Sequence, residues 1–266
     1  MTVAQAKGER ESVVSSFTII KGAMVEETWA ALAAWDFDRT KKKNLDHLRA
    51  TNSVGAKSQT WLRDVGKVLN RRLDPADRDR PLALLAKAGW DLDDWKPALL
   101  WHLTRDEFLF RDFLVNWLYP RWAEGANRLR AEELHPFLRE VGQRGGVTEH
   151  AWSEPTLKRV AVGLLTMAGD FGLLRGSTVR EFASYHLSEK SFLYLLHALR
   201  DGEPNPRRLI ESPEWKMFLM EPADVERELL RLHQFRKLHY DVAGSLAQLT
   251  LPFASALDYA ARQGTE

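Results

Sequence analysis

Apolar residues recur along this chain at the three- and four-residue intervals of a helix face. Between Met24 and Trp35, the residues Val25, Thr28, Trp29, Leu32 and Trp35 fall on one side. A second stripe, Trp61, Leu62, Val65, Val68, Leu69 and Leu73, predicts a helix over 58–73. Asp74-Pro75 ends it, because proline disfavours helical backbone in the residue before it. Between the two, Leu45 and Leu48 mark another helix, with Asp38 as its expected cap and the turn cluster Thr51-Asn52-Ser53-Val54-Gly55 after it. Further helices are expected over 82–88, stopped by Gly89, over 91–102, opened by acids, over 107–122 and over 131–141.

Gly142 and the pair Gly145-Gly146 then form a candidate domain boundary. Beyond it, Ser153-Glu154-Pro155-Thr156 reads as a cap with proline near the first turn, and Leu157, Val160, Leu164, Leu165 and Met167 supply the apolar face up to Gly169. The stretches 171–174 and 179–185 read as two short extended pieces around Gly176-Ser177. Helices are expected over 192–200, 206–212, 215–220 and 224–237, followed by a hairpin over 238–251 with Gly244-Ser245 at its turn. The expected fold is mainly α: two helical domains with winged helix-turn-helix features and a short C-terminal β-hairpin. Residues 1–15 are read as a disordered N-terminal extension, 16–145 as a helical domain with a helix-turn-helix, and 146–266 as a winged-helix-like domain.

Composition narrows the function. The chain has 266 residues, 44% of them hydrophobic, which excludes a mainly disordered protein. It has no cysteine, so a disulfide framework, a thiol nucleophile and a thiolate metal site are excluded. No stretch approaches the ~18 apolar residues of a membrane span. The most apolar one, 108–122, is interrupted by Arg111, Asp112, Asn116 and Arg121. With no apolar signal region at the N-terminus either, the expectation is a soluble cytoplasmic protein without a membrane partner.

The formal net charge of +1 hides an uneven distribution. From Asp38 to Arg72 there are ten basic residues against three acidic ones, +7, which leaves −6 for the remainder. Lys57, Ser58, Gln59, Thr60, Arg63, Lys67, Asn70 and Arg71 largely occupy the helix face opposite Trp61, Val65, Val68 and Leu69. Polar groups at a helix N-terminus suit phosphates and base edges. With Arg39, Lys41, Lys42 and Lys43 they make a candidate nucleic-acid surface; the competing reading is an ordinary solvated face. A second candidate is Lys158 and Arg159, near Ser153 and Thr156, where a plain capped helix competes. The last hairpin offers Arg231, Arg236, Lys237, His239 and Tyr240, diluted by Glu226, Glu228 and Asp241. Ten tryptophans invite base stacking, but most fall on apolar helical faces and read as core.

Signals of catalysis are weak. The eight histidines show no metal-ligand spacing, and Asp91, Asp93 and Asp94 precede a helix and read as capping residues. Gly55-Ala56-Lys57-Ser58 lacks the adjacency, upstream glycine and strand of a phosphate-binding loop. No catalytic residue, metal, cofactor or small-molecule substrate is expected.

Several stretches together resemble the BrxA family of bacteriophage exclusion (BREX) defence systems. They are Ser16-Phe17-Thr18 with Gly22-Ala23, the run Trp152-Ser153-Glu154-Pro155-Thr156-Leu157-Lys158-Arg159 continuing to Met167, and Asp170-Phe171-Gly172-Leu173-Leu174. His186-Leu187-Ser188, Phe192-Leu193-Tyr194-Leu195-Leu196, Leu209-Ile210-Glu211-Ser212-Pro213-Glu214-Trp215 and Phe218-Leu219 follow in order. Asp224-Val225-Glu226, Leu238-His239-Tyr240 and Ala243-Gly244-Ser245 complete the series, which covers the chain from Ser16 to about Tyr259. The resemblance implies a non-catalytic, double-stranded-DNA-binding component of an anti-phage system whose methyltransferase and ATPases are separate proteins. Other BREX proteins are the further partners it implies. The alternatives are a protein–protein scaffold within the defence complex and an RNA-binding, antiterminator-like protein.

Overall fold

A computed structural model describes residues 12–148, 150–244 and 246–264 of the chain. The first half carries α1 (Ser16–Lys21), α2 (Val25–Ala33), α3 (Lys41–Thr51), α4 (Gln59–Arg72), α5 (Arg80–Lys87), α6 (Leu92–Leu103), α7 (Phe108–Phe113), α8 (Tyr119–Ala123) and α9 (His135–Arg139). Then come α10 (Glu154–Asp170), β1 (Leu174–Gly176), β2 (Arg180–Phe182), α11 (Glu189–Arg200), α12 (Pro206–Ile210), α13 (Pro222–Gln234), β3 (His239–Ala243), β4 (Leu246–Thr250) and α14 (Ala256–Arg262). The protein is mainly α.

Side-chain caps set where most of the longer helices begin. Ser58, Asp91, Ser153 and Ser188 each accept the backbone N–H three residues on, meeting a donor that has no partner inside the helix. The expected cap of α3 is corrected. Thr40 holds that place, accepting from Lys43 N–H, while Asp38 lies outside the helix with its own N–H on the Asp36 carboxylate. The helix expected over 107–122 is interrupted by a π-helical turn, Leu114–Leu118. Pro120 has no N–H to offer, and Tyr119 N–H reaches back five residues to Leu114 O. The helix expected over 131–141 is broken into two 3-10 turns flanking α9, and the one expected over 215–220 is replaced by a 3-10 turn, Pro213–Phe218, with Leu219 as its C-cap.

β1 and β2 pair antiparallel, with Leu174 opposite Phe182. β3 and β4 pair antiparallel, with His239 opposite Thr250. At their turn Gly244 takes the left-handed conformation, φ +59°, and the expected turn residue Ser245 lies outside the described residues. The order α11, α12, α13, β3, β4 thus places three helices before a hairpin, and the hairpin packs on α12 and α13.

Of the N-terminal extension, residues 1–11 lie outside the described residues. Residues 12–15 depart from the expectation of disorder. Val14 N–H donates to Val147 O and Val147 N–H donates to Ser12 O, both at 2.8 Å, Val14 is buried, and Ser15 caps α1. An apolar Val14 with both chain neighbours hydrogen-bonded has no reason to leave the surface.

Buried residues from both halves form one continuous cluster. The core does not divide at Gly145-Gly146: α1 packs on α10, α6 on α11 and α5 on α14. Arg111 and Glu214 form an ion pair across it at 2.6 Å. Among the described residues, no helix is long and apolar enough to cross a membrane.

Candidate nucleic-acid interface

α4 is amphipathic as its sequence predicts. Leu62, Val65, Val68 and Leu69 are buried, while Gln59, Thr60, Arg63, Lys67 and Asn70 are exposed, as are Lys57 and Ser58 just before it. Thr60, Arg63, Lys67 and Asn70 follow three- and four-residue steps, so they form one stripe along a helix about 21 Å long. The Ser58 hydroxyl accepts Trp61 N–H at 3.1 Å and thereby fixes the N-terminal turn. Asp64, the one acid of α4, turns inward to the Lys21 ammonium at 2.6 Å. The Lys21 hydrogen bond holds the Asp64 carboxyl below its ordinary range. The exposed stripe is therefore left to cations and neutral polar groups.

The structure sorts the other candidates. Lys42, Lys43, Lys57, Arg63, Lys67, Lys158 and Arg159 are exposed, and none has a carboxylate within 4.0 Å among the described residues. Arg39 is exposed and paired with Asp36 at 2.9 Å. Lys41 is half-buried, its ammonium donating to Asn70 O at 2.7 Å, and burial lowers its pKa. This ties the start of α3 to the end of α4 and sets the Arg39–Lys43 cluster at the opposite end of α4 from Ser58. Arg71 donates to Val13 O at 2.9 Å. Arg72, counted in the +7 segment, is buried and paired with Glu107 at 2.9 Å, and the acid Asp64 is buried as well, so the two withdrawals cancel and the segment still offers +7 to solvent.

What the sequence could not show is that the second candidate cluster borders a cleft that α4 closes with Trp61. A cleft of about 700 Å³ runs between the α1–α2 junction, α4, α6 and α10, and its lining includes Trp61, Lys158 and Arg159. Lys21 and Lys96 line it too. Neither was legible as a site residue, because each is a lone cation on its own helix. The Trp61 indole N–H is held by Glu27 at 2.9 Å and its ring is half-buried. Glu26, Glu27 and Asp170 also line the cleft, and burial raises the Asp170 pKa. Phe17, partly exposed on α1, has the Lys21 and Lys67 ammonium groups 5.6 and 5.9 Å from its ring centre. The cations Lys21 of α1, Lys96 of α6 and Lys158 and Arg159 of α10 thus gather around one groove beside Trp61 of α4, although they are far apart in sequence.

The remaining chemistry-bearing residues are accounted for by packing and capping or stay apart on the surface. No tryptophan among the described residues is fully exposed, and Trp35, Trp90, Trp95, Trp117 and Trp215 are buried. Asp91 caps α6 and Asp93 and Asp94 sit in its first turn. No group of three His, Asp or Glu among the described residues is placed to hold a metal ion. In comparison with known proteins, the chain matches the BrxA family model over residues 16–198. No curated protein matches it.

Proposed function

The chain belongs to the BrxA family of BREX phage-defence systems, and from that premise we propose that it acts there as a non-catalytic protein that binds double-stranded DNA. The observation that supports this reading best is the set of exposed cations without carboxylate partners along α4, Lys57, Arg63 and Lys67, continued by Lys158 and Arg159 at the cleft. Lysine and arginine that are neither paired nor buried are the groups that displace counterions from a phosphate backbone. Gln59 and Thr60 in the first turn of α4 supply neutral donors and acceptors for phosphate or base edges. α3 and α4 form the helix-turn-helix of this reading, with α4 as the helix presented to the duplex. α11, α12, α13 and the β3–β4 hairpin form its winged-helix unit. The place of action is the cytoplasm, where the DNA is.

The test is duplex binding by the purified chain across a salt series. Replacing Lys57, Arg63 and Lys67 together by alanine weakens binding by a few kcal/mol at low salt and flattens the salt slope by about one unit per lost phosphate contact. Unchanged binding by this triple variant overturns the site. Leu230 and Phe235 on and just after α13, with Val242 on the hairpin, are exposed apolar residues that favour a second reading, a docking surface for another defence protein. A chain that neither shifts duplex DNA nor binds heparin at about 50 mM salt favours that reading, and preference for structured RNA favours an antiterminator-like role.

A further inference from the structure

At the junction of α5, α6, α11 and α14 the fold leaves a second cavity, of about 460 Å³. That volume lies within the roughly 300–1,000 Å³ of small-ligand sites. It holds none of the candidate DNA-contacting side chains.

Its inner wall is a buried relay. His102 Nδ1 lies 2.6 Å from Asp79 Oδ1, and His102 Nε2 lies 2.5 Å from the Tyr194 hydroxyl. All three residues are buried. Burial lowers the His102 pKa, so the ring is neutral: it donates Nδ1–H to Asp79 and accepts the Tyr194 O–H. Asp79 also accepts Asp74 N–H at 2.6 Å and pairs with Arg78 at 2.8 Å, and Arg78 continues to Asp106. The donors and acceptors of this wall are satisfied by one another.

Arg105 is the exception. Its guanidinium lines the same cavity and is half-buried, yet among the described residues its side chain donates no hydrogen bond and forms no ion pair. Burial and the neighbouring Arg78 both work against its charge. The carboxylates closest in effect, Asp79 and Asp106, are already engaged by Arg78. By contrast Arg72, Arg78, Arg111 and Arg144 each meet a carboxylate directly. A partly desolvated guanidinium without a protein partner favours an anion beside it, and its planar fork matches a carboxylate or phosphate in two-point contact. Around it the cavity offers Trp101, Pro81, Leu199 and Leu257 as apolar wall and Asp201 as an acceptor.

We propose that this cavity binds a small organic oxyanion, a carboxylate or phosphate ester carrying a flat apolar body. The oxyanion sits on Arg105, the body lies against Trp101, and a hydroxyl or amino group of the ligand donates to Asp201.

The test is calorimetric titration of the full chain with benzoate, adenosine 5′-monophosphate and inorganic phosphate at matched ionic strength. One of the two ring-bearing anions binds at least about tenfold more tightly than inorganic phosphate, and the benzoate and nucleotide arms distinguish carboxylate from phosphate ester. Arg105→Gln weakens that binding at least about tenfold, whereas Lys158→Gln leaves it unchanged. In ligand-free protein Arg105→Gln leaves the unfolding midpoint unchanged or raises it, since no native partner is lost. The proposal is overturned if neither ring-bearing anion binds below about 10 mM, if inorganic phosphate binds as tightly as they do, or if binding survives Arg105→Gln. It is also overturned if Arg105→Gln lowers the ligand-free midpoint, which marks a structural role.

Discussion

Arg72 donates four hydrogen bonds into the interior: to Thr18 O at 2.8 Å, Gly22 O at 2.9 Å, Ala23 O at 3.2 Å and Glu107 Oε1 at 2.9 Å. The end of α1 leaves carbonyls that no helical N–H can meet, and a guanidinium supplies several donors in one plane. Arg72→Ala removes that set and strands Glu107 as a buried charge. The expected cost is about 3–5 kcal/mol, read from urea unfolding at neutral pH; a loss below about 1 kcal/mol contradicts the role. Histidines make a separate prediction at this scale. His102 and His197 are buried, and burial lowers both pKa values. Below about pH 6.5 the unfolded chain takes up protons that the folded chain refuses, so stability present above that pH is lost as pH falls. Asp79, held below its ordinary value by His102 and Arg78 against the opposing effect of burial, extends the loss through about pH 4. Asp170 and Asp201, raised by burial, act with opposite sign in the carboxylate range. The urea midpoint therefore falls between about pH 7 and pH 5, and a flat or rising midpoint there refutes the assignment of both rings as buried and neutral.

At the scale of elements, α1 and α10 meet at Gly163. A Cβ placed there would lie 2.7 Å from Ile19 O and 3.2 Å from Ile19 Cγ2. The obstacle is backbone, which yields less readily than a side chain. Gly163→Ala gains about 1 kcal/mol of helix propensity but forces α1 away from α10, and overpacking of this kind costs about 1–3 kcal/mol. The net outcome is a lowered thermal midpoint, and a raised one shows that α1 moves aside freely. The long helices were legible in sequence because each repeats its apolar stripe over two or more turns, and α4, α6, α10 and α11 also open on a capping side chain. Six-residue α1 was not, since a single turn and a half carries no readable period. Nor was the π-turn before Pro120, which depends on which carbonyl an N–H finds once a donor is missing. Thr40 took the cap from Asp38 through local geometry that residue type leaves open.

For the whole molecule, the continuous core across Gly145-Gly146 predicts one cooperative unfolding transition. Calorimetry checks this: matching calorimetric and van't Hoff enthalpies support it, and two resolved transitions refute it. Charge behaves differently at this scale. The +7 segment is real in sequence, yet Arg72 is withdrawn into the core, Lys41 is engaged by Asn70 O, and Lys21 and Lys96 come to the cleft from other helices. The sequence by itself determined the helical class, the caps of α6 and α10, the exposed stripe of α4 and the family resemblance, because these rest on spacing within one element or on ordered local motifs. Tertiary structure alone decided which cations face solvent, that Lys158 and Arg159 share a cleft with Trp61, and that Arg105 is left without a partner beside a buried Asp79–His102–Tyr194 relay. Those outcomes depend on how helices separated by up to a hundred or more positions are packed together, and residue periodicity carries no information about which neighbour a side chain will meet.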